Sequence, residues 1–557
     1  MATKIRHDPS WPKRDYPDLR DHIAALDKAG RLQIVKERIC KDTEMYPLVR
    51  WQFRGGVPEK DRKAFLFTNV TDAKGKSYDM PVIVGAMAAN RAIYAIGMGC
   101  PEDKIGAVWA KARANPIAPR LVEHAPCQEV LIQGAELLKP GRGLDALPLP
   151  ISTPGYDSAP YITMPFFVTR DPDSGIQNMG AYRAQLKSPT RVGMNTSIEN
   201  PRGGNIHWEK YRARGEKCPC AIVIGGPPAV WYVAGTRLGI DVDEVSVAGG
   251  LAGSAINVVK CVTVPLTVPA EADIVIEGYV DNEYLEPEAP FGESHGHVNL
   301  QEFNNVVEVT AITRRSDAIL MSYINQLAPS ESSVRARATF EPRFLMHLRQ
   351  QVGIRGLTRV VAHEPLTGGS RALFLLFDRT VSDTEVWRAL YAAAAFQVST
   401  GKIVIALSDD IDPESNLDAV IWSMVFRMKP HLDVKVLENW NPGHGPRDIV
   451  RGHMDSALLI NAVLKHDMAP LALPKREFME HAKTLWEDKL KLGTLHPEAP
   501  WHGYSMGAWN DELDREAALA VKGDYWETGR RSAQRRRKGV AVNTEIRFVD
   551  EGEDGTE

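Results

Sequence analysis

The residues of this chain most capable of chemistry concentrate in the stretch EPEAPFGESHGH, from Glu286 to His297. Three carboxylates and two imidazoles surround a Pro-Phe-Gly sequence. Proline and glycine exclude a regular helix or a central strand here, so an irregular backbone must aim the side chains. Irregular backbone is where functional groups are often displayed. The stretch is compatible with a solvated acidic loop, a metal site or a proton-transfer site, and residues elsewhere must decide among them.

A second stretch, GIQNMGAYRAQ, carries Asn178 and Arg183. They are five positions apart, so an ideal strand would point them to opposite faces, and a bulge at Gly180 could re-aim one of them. A planar guanidinium favours recognition of a carboxylate, although a surface arginine on an edge strand is the alternative. Two carboxylates within reach of one arginine would have their pKa values pushed apart, leaving one proton donor and one ionised partner. That arrangement suits protonation of a carbon centre.

The third stretch, DVDEVSVAGGLAGSAINVVKC, places Glu244 in front of a glycine-rich run. Gly249, Gly250 and Gly253 could let backbone amides approach a phosphate. Their spacing is neither that of a dinucleotide-binding fingerprint nor that of a phosphate-binding P-loop. The run therefore indicates a phosphate site only in combination with the other two stretches.

Together, NMGAYR, EVSVAGGLAGSAINVVKC and PEAPFGESHGH, in this order on a chain of this size, resemble the UbiD family of decarboxylases, which use prenylated FMN (prFMN). The resemblance covers most of the chain. It implies reversible, non-oxidative decarboxylation of an aromatic or α,β-unsaturated carboxylic acid, which includes a CoA thioester of an aromatic diacid. By motif, Arg183 matches the central arginine of the family's Glu-Arg-Glu network, Glu288 its carboxylate partner and Glu293 the proton donor.

The resemblance also implies a cofactor site that includes Arg183. In the family, a divalent ion, usually manganese, and a neighbouring potassium ion tie the cofactor phosphate to an Asn, a His and a Glu. Asn178 and Glu244 match two of these positions. The stretch ENPRGGNIHWEKY offers only His207, a few residues later than the family pattern places the histidine. The implied partners are an aromatic carboxylate substrate, a flavin prenyltransferase that supplies the cofactor, and further copies of the chain in a dimer or hexamer.

Two other functions remain open at this stage. A metal-dependent hydrolase would use His295, His297, Glu288 and Glu293 as ligands, because His-X-His on an extended segment puts both rings on one face. A noncatalytic flavin-binding subunit of the same fold is the second. The complete set of Arg183, Glu288 and Glu293 argues against that second function.

Composition excludes several classes of protein. With 44% apolar and 25% charged residues, the 557-residue chain has the composition of a soluble globular protein. A formal net charge of -4 provides no global attraction to nucleic acid or an anionic membrane. The amino terminus lacks the apolar core of a signal peptide, and Gly and Pro interrupt the longest apolar stretches. Six cysteines follow no disulfide framework. We expect a cytoplasmic protein without a nucleic-acid or membrane partner.

Periodicity predicts a mixed α/β fold in several domains. DLRDHIAALDKAGRL reads as a helix that ends at Gly30, within an N-terminal α/β domain over 1–124. Short β-branched stretches over 125–327 predict a central, largely antiparallel sheet or barrel. The family resemblance implies that this domain is a split β-barrel that binds the flavin. Alternating strands and helices over 328–500 predict a linking helix and a C-terminal α/β domain with a parallel sheet. Residues 501–557 are expected to be an extension, partly disordered or in oligomer contacts.

Overall fold

The fold is that of a computed structural model, which describes residues 11–196, 203–236, 238–239, 241–288, 290–300, 302–363, 371–397, 400–440, 454–465, 468–498, 500 and 509–534. The chain separates into two compact units, Met1–Val463 and Leu464–Glu557. The expected mixed α/β fold is confirmed, since helices and several sheets alternate along the first unit.

The helices are α1 (Leu19–Lys28), α2 (Met45–Arg54), α3 (Arg91–Met98), α4 (Ile105–Ala114), α5 (Gly203–Ala213), α6 (Pro228–Ala234), α7 (Glu244–Ala252), α8 (Glu331–Met346), α9 (Asp383–Ala395), α10 (Leu417–Arg427), α11 (Pro430–Asp433), α12 (Arg476–Thr484), α13 (Asp511–Lys522) and α14 (Tyr525–Gln534). The strands are β1 (Leu32–Val35), β2 (Ile39–Cys40), β3 (Ala64–Phe67), β4 (Val70–Thr71), β5 (Ser77–Tyr78), β6 (Val82–Val84), β7 (Arg120–Val122), β8 (Val130–Gln133), β9 (Tyr161–Ile162), β10 (Phe166–Arg170), β11 (Gln177–Ala181), β12 (Ala184–Ser188), β13 (Arg191–Met194), β14 (Cys218–Ile224), β15 (Asn257–Lys260), β16 (Thr267–Pro269), β17 (Ile274–Val280), β18 (Glu286–Glu288), β19 (Phe291–Gly292), β20 (Val298–Asn299), β21 (Glu302–Arg314), β22 (Leu320–Ser322), β23 (Leu357–Ala362), β24 (Ala372–Phe377), β25 (Ile403–Ser408), β26 (Val434–Trp440) and β27 (Asp455–Ala462).

The amino-terminal sheet has the strand order β1-β3-β6-β22. Helix α1 covers it because Leu19, Ile23 and Leu26 recur at helical spacing and are buried. The Asp18 carboxylate caps the first turn, and Gly30 follows the helix in a left-handed conformation, as predicted from the sequence. Strand β22 reaches this sheet from the far end of the central region, so the two regions fold together.

The central sheet is the largest, with the order β11-β10-β14-β17-β21-β13-β12-β9, and β8 and β18 also pair with β21. Six interstrand spacings separate β11 from β12, about 29 Å in a flat sheet at ~4.8 Å each. In the chain, only Tyr182 and Arg183 join these strands, a link that spans at most about 11 Å. The sheet must therefore curl until its two ends approach each other. Arg183 lies at that seam.

The carboxy-terminal sheet of the first unit has the order β23-β24-β25-β27-β26. Strands β24 and β25 are parallel, as expected, and β27 pairs parallel with β25. The stretch VKVL in β26, predicted as a further strand of the parallel sheet, instead pairs antiparallel with β27. Helix and strand alternation cannot reveal this, because the short α11 returns the chain at the sheet edge rather than across its face. Strand β27 itself was not predicted.

Helix α8, the predicted linking helix, contributes side chains to two hydrophobic cores. Val334 and Ala338 in its first half belong to a core shared by the amino-terminal and central sheets. Phe340 and Phe344 in its second half pack under one face of the carboxy-terminal sheet. The predicted domain boundary at 327/328 thus precedes a helix that belongs to both cores.

The buried cysteine pair Cys218 and Cys220 lies in β14, and all six cysteines are free thiols. Within the described residues, no helix combines the length and apolar composition that crossing a membrane requires. In the second unit, α12 and α13 bury none of their residues. The extension predicted over 501–557 falls largely outside the described residues, so its role stays a prediction.

The buried histidine His22 of α1 leads to a prediction about acid stability. Its Nε2 lies 2.7 Å from the Ala86 carbonyl oxygen and its ring meets Trp231 edge to face. Burial lowers the pKa of His22 from 6.5 to about 4. The unfolded chain therefore binds the proton more tightly, and the folded state loses stability as pH falls from 6.5 towards 4. This loss amounts to about 3 kcal/mol at ~1.4 kcal/mol per pKa unit.

In His22→Gln, which keeps a donor for the Ala86 carbonyl, this loss should be absent. The measurement is Tm against pH for both proteins between pH 7.5 and 4.5. The wild type should lose more of its Tm than the variant as the solution becomes acid. A Tm difference that does not change with pH would show that His22 makes no contribution to acid sensitivity.

Candidate active site

Arg183 owes its position to the end of a strand rather than to a bulge. The pairing of β10 with β11 is continuous from Phe166↔Ala181 to Arg170↔Gln177, so the bulge expected at Gly180 is absent. The strand ends at Ala181 and the chain turns at Tyr182, which re-aims Arg183. Gly180 is required for another reason: a Cβ there would lie 2.4 Å from the Tyr182 hydroxyl oxygen.

Glu288 is buried and accepts hydrogen bonds from three side chains. It ends β18, the short strand that pairs antiparallel with the start of β21, and its side chain is buried. Arg183 Nε donates to Glu288 Oε1 at 2.7 Å. The amides of Asn195 and Asn304 donate to Glu288 Oε2 at 2.9 and 2.7 Å. Three donors, one of them cationic, stabilise a buried carboxylate as the anion.

Glu293 lies in the turn between β19 and β20. Its backbone N–H donates to the His297 carbonyl at 3.1 Å, and Gly296 N donates back to the Glu293 carbonyl at 3.0 Å. Gly296 has a φ of +98°, a conformation that favours glycine. The Glu293 side chain is 5% exposed and forms an ion pair with Nη1 of Arg183.

The guanidinium of Arg183 thus bridges two buried carboxylates, one at the end of β18 and one in the turn after β19. Its central carbon lies over the ring of Phe291, 5.0 Å from the ring centroid, which adds a cation–π contact. One cation beside two carboxylates can keep both charged or let one hold a proton. Glu288 accepts from two amides in addition to the arginine, and Glu293 shares the same guanidinium.

His295 and His297 do not assemble a metal site with the two carboxylates. His297 is exposed, and its backbone N–H donates to His295 Nδ1 at 3.3 Å. Both glutamates turn towards Arg183 instead. Among the residues that the structure describes, no group of three or more His, Cys, Asp or Glu side chains could hold a metal ion. The geometry gives the hydrolase alternative no support.

A second cluster gathers around β11. Asn178 pairs across the sheet with Thr169, whose hydroxyl lies 2.8 Å from His207 Nδ1. The Met179 N–H, next in the chain, donates to Glu244 Oε2 at 2.9 Å at the start of α7. Gly203, at the start of α5, packs so closely on Asn178 that a Cβ would lie 2.1 Å from its Oδ1. Asn178 in β11 therefore lies close to the segments that carry His207 and Glu244. His207 comes later in the sequence than the family pattern expects.

The electrostatics of this cluster fit a bound cation and phosphate. Burial raises the pKa of Glu244 to about 7 and lowers the pKa of His207 to about 4. The buried Asn178 Nδ2 has no hydrogen-bond partner within the described residues. A divalent ion would offset the buried carboxylate charge, and amide, imidazole and carboxylate are donors such ions accept. Phosphate oxygens could satisfy the unpaired amide.

The glycines after Glu244 serve packing rather than phosphate binding. A Cβ at Gly249 would lie 2.4 Å from the Ile117 carbonyl oxygen. A Cβ at Gly250 would lie 2.6 Å from the carbonyl oxygens of Ala112 and Asn115. Both residues lie within α7, so they let that helix approach α4 and the chain that follows it. Gly253 ends α7 with a positive φ of 74°.

Two site residues were not predicted. Asn195 follows β13 and Asn304 lies in β21, directly opposite Glu286. An asparagine in or beside a strand is found in many structural settings, so nothing in the sequence marked either residue as part of the site. The stretch WYVAGTRLG places Trp231 and Tyr232 in the buried core. NQLAPSESS places Gln326 against Thr153, close to the Glu293 turn.

Comparison with known proteins gives a consistent result. Residues 120–326 match the UbiD family, described as the 3-octaprenyl-4-hydroxybenzoate carboxy-lyase Rift-related domain. An evolved dimeric form of the UbiD-class enzyme HmfF from Pelotomaculum thermopropionicum, in complex with prFMN, is 27% identical with a TM-score of 0.69. The match covers 82% of this chain and 97% of that one. HmfF in complex with FMN is 28% identical, also at 0.69, over 83% and 96% of the two chains.

A more distant structure, the 3,4-dihydroxybenzoic acid decarboxylase (AroY) of Klebsiella pneumoniae, shares the fold. It is 23% identical with a TM-score of 0.68, and the match covers 83% of this chain and 99% of that one. The sequence resemblance is thus confirmed by the fold over nearly the whole length of the solved enzymes. Residues 120–326 therefore match the UbiD family model, and most of the chain has the fold of UbiD-class enzymes.

Proposed function

We propose that this chain is a prFMN-dependent enzyme that reversibly decarboxylates an aromatic or α,β-unsaturated carboxylic acid. The observation that carries the proposal is the buried Glu288–Arg183–Glu293 arrangement, in which one guanidinium meets two carboxylates. HmfF, similar along nearly its whole length, was solved in complex with prFMN and with FMN. Both findings favour decarboxylation over the hydrolase and the noncatalytic subunit.

The cofactor is proposed because no side chain of this site can accept the electrons that decarboxylation leaves on carbon. When bound, prFMN supplies that electron sink. Asn178, Arg183 and Glu244 would hold it, with Mn²⁺ and K⁺ between its phosphate and the protein and His207 as a further ligand of the divalent ion. Two observations support this assignment: burial raises the pKa of Glu244, and the Asn178 Nδ2 has no hydrogen-bond partner within the described residues.

The remaining steps belong to the protein's own residues. Arg183 orients the substrate carboxylate by charge and hydrogen bonding, and its stacking on Phe291 limits the positions it can take. Glu288, anchored by Asn195 and Asn304, stays ionised and keeps Arg183 in place. After carbon dioxide has left, Glu293 delivers a proton to the substrate carbon that carried it. In the reverse direction, the same carboxylate removes that proton.

The substrate must be conjugated, because only a π-system next to the carboxylate lets an electron sink share the developing charge. A CoA thioester of an aromatic diacid fits this requirement as well as a free acid does. A flavin prenyltransferase would supply the cofactor. We also propose a cytoplasmic homo-oligomer, a dimer or a hexamer.

The direct test is to produce the chain anaerobically together with a flavin prenyltransferase. Its absorption spectrum and the mass of the released cofactor are then recorded, and aromatic and unsaturated acids are screened for carbon dioxide release. Stoichiometric prFMN together with turnover would establish the function. Bound flavin without turnover on any acid would favour the noncatalytic subunit. Tightly bound zinc without flavin would revive the hydrolase.

Replacing Glu293 by Gln should remove the proton donor and leave the cofactor site intact. We expect kcat to fall roughly 100- to 10,000-fold, the usual contribution of a general acid, with unchanged cofactor content. Glu286→Gln is the matched control: Glu286 lies in β18 beside the site, is partly exposed and pairs with Arg191. Its rate should stay within about twofold, as expected of a surface ion pair. A Glu293→Gln enzyme that decarboxylates at the wild-type rate would exclude Glu293 as the donor.

Replacing Glu244 by Gln should separate metal binding from folding. In metal-free protein at pH 8, Glu244 is ionised although burial raises its pKa to about 7. An amide without charge should therefore raise the stability, by at most ~3 kcal/mol. The variant should also lose retained Mn²⁺ and the rise in Tm that Mn²⁺ gives the wild type.

Elemental analysis and Tm with and without Mn²⁺ provide the two readouts. The control is Glu308→Gln, an exposed glutamate paired with Lys217, which should behave as the wild type in both. A Glu244→Gln protein that retains Mn²⁺ would remove this residue from the metal site.

A further inference from the structure

The turn from Ser152 to Ser158 contacts the Glu293 segment through backbone and side chain. Gly292 N, immediately before Glu293, donates to Asp157 Oδ1 at 3.3 Å. The other carboxylate oxygen of Asp157 accepts from Thr153 N at 2.7 Å, which closes the turn. The Thr153 hydroxyl packs directly on Gly292, because a Cβ there would lie 2.3 Å from Thr153 Oγ1.

The same turn also contacts the strand that follows Arg183. Ser158 Oγ accepts from Gln185 Nε2 at 2.9 Å, and Gln185 is two residues after Arg183 in β12. Strand β9, just beyond the turn, pairs with β12, and its Tyr161 ring lies 4.4 Å from the Phe291 ring, centroid to centroid. The turn therefore contacts both chain segments whose side chains form the Arg183–Glu293 ion pair.

A third segment supports the turn from outside. Gln326 Nε2 donates to Thr153 Oγ1 at 3.0 Å. The neighbouring Leu327 lies against Gly296, where a Cβ would be 2.8 Å from its Cδ1. Residues 152–158 and 326–327 thus enclose the Glu293 turn, whose own backbone hydrogen bonds are few because it is so short.

We propose that Asp157 is a positioning residue, and that the Ser152–Ser158 turn is a brace that holds Glu293 against Arg183. This inference rests on the proposed role of Glu293 as proton donor. Asp157 acts on the ion pair through the Gly292 N–H and through Thr153. Displacing a reacting group by about 1 Å can cost on the order of 100-fold in rate, so a brace on one side of the ion pair is enough to matter.

The burial and the hydrogen bonds of Asp157 support this role. Burial raises the pKa of Asp157 to about 6, whereas the backbone N–H groups of Thr153 and Gly292 lower it. Burial of a carboxylate costs free energy, and the hydrogen bonds from Thr153 and Gly292 offset part of that cost. The same bonds tie the backbone before Glu293 to the turn.

The first measurement is hydrogen–deuterium exchange of cofactor-free protein, which does not depend on activity. In Asp157→Ala, amides of the segment 290–297 should exchange at least about tenfold faster than in the wild type, because Gly292 N–H loses its acceptor. Asp145→Ala is the matched control, since Asp145 likewise accepts from glycine amides, those of Gly141 and Gly143, in another turn. It should leave exchange over 290–297 unchanged.

The second measurement is a double-mutant cycle on the loaded enzyme. Asp157→Ala should lower kcat roughly 10- to 100-fold with little change in KM, and should lower it little further in a Glu293→Gln background. If Asp157→Ala does not fold, Thr153→Val replaces it, with Thr153→Ser expected to restore both exchange and rate. Unchanged exchange over 290–297, or rate losses that multiply with Glu293→Gln, would overturn the brace. If wild-type enzyme loaded with prFMN decarboxylates nothing, the proposed function fails while the exchange result still stands.

Discussion

The structure depends on one constraint: a single guanidinium must meet two buried carboxylates that arrive from different parts of the chain. Arg183 can do so because only two residues join β11 to β12, which are six positions apart in the strand order of a ten-stranded sheet. A flat sheet cannot satisfy that short link, so the sheet must curl. The curl presents the arginine at the seam, where β18 and the turn after β19 bring Glu288 and Glu293. The geometry of the ion pairs is thus a consequence of sheet closure.

Burial gives the charges of this site their different properties. Glu288 is offset by a cation and two amides, whereas the donors to Glu244 are the backbone N–H groups of Met179 and of Glu244 itself, and its pKa is raised. Glu288 finds its hydrogen-bond donors among the side chains of the protein itself. Glu244 carries a charge that the described part of the protein does not offset, as a ligand of a metal ion would. The same residue type therefore serves two purposes, and the number of donors around each carboxylate distinguishes them.

Some of this could be predicted from the sequence. The helix ending at Gly30 and the hairpin around DPDSG follow from local turn chemistry, which depends on neighbours in sequence. The motif residues Arg183, Glu288 and Glu293 were identified by resemblance, and the structure brings them together. The antiparallel direction of β26 and the amides of Asn195 and Asn304 depend on contacts between distant segments, which no local pattern encodes. The glycines after Glu244 suggested a phosphate loop because glycine allows any close approach, whether of a ligand or of another helix.

Helix α8 has a consequence for how the first unit unfolds. Its first half contributes Val334 and Ala338 to one core, and its second half contributes Phe340 and Phe344 to another. Losing either core would leave half of the helix without support, and half a helix of this length is marginal in water. The two cores should therefore unfold together rather than separately. Heat or denaturant should melt the carboxy-terminal sheet together with the catalytic region in one transition, so that the enzyme loses its site and its scaffold at the same temperature.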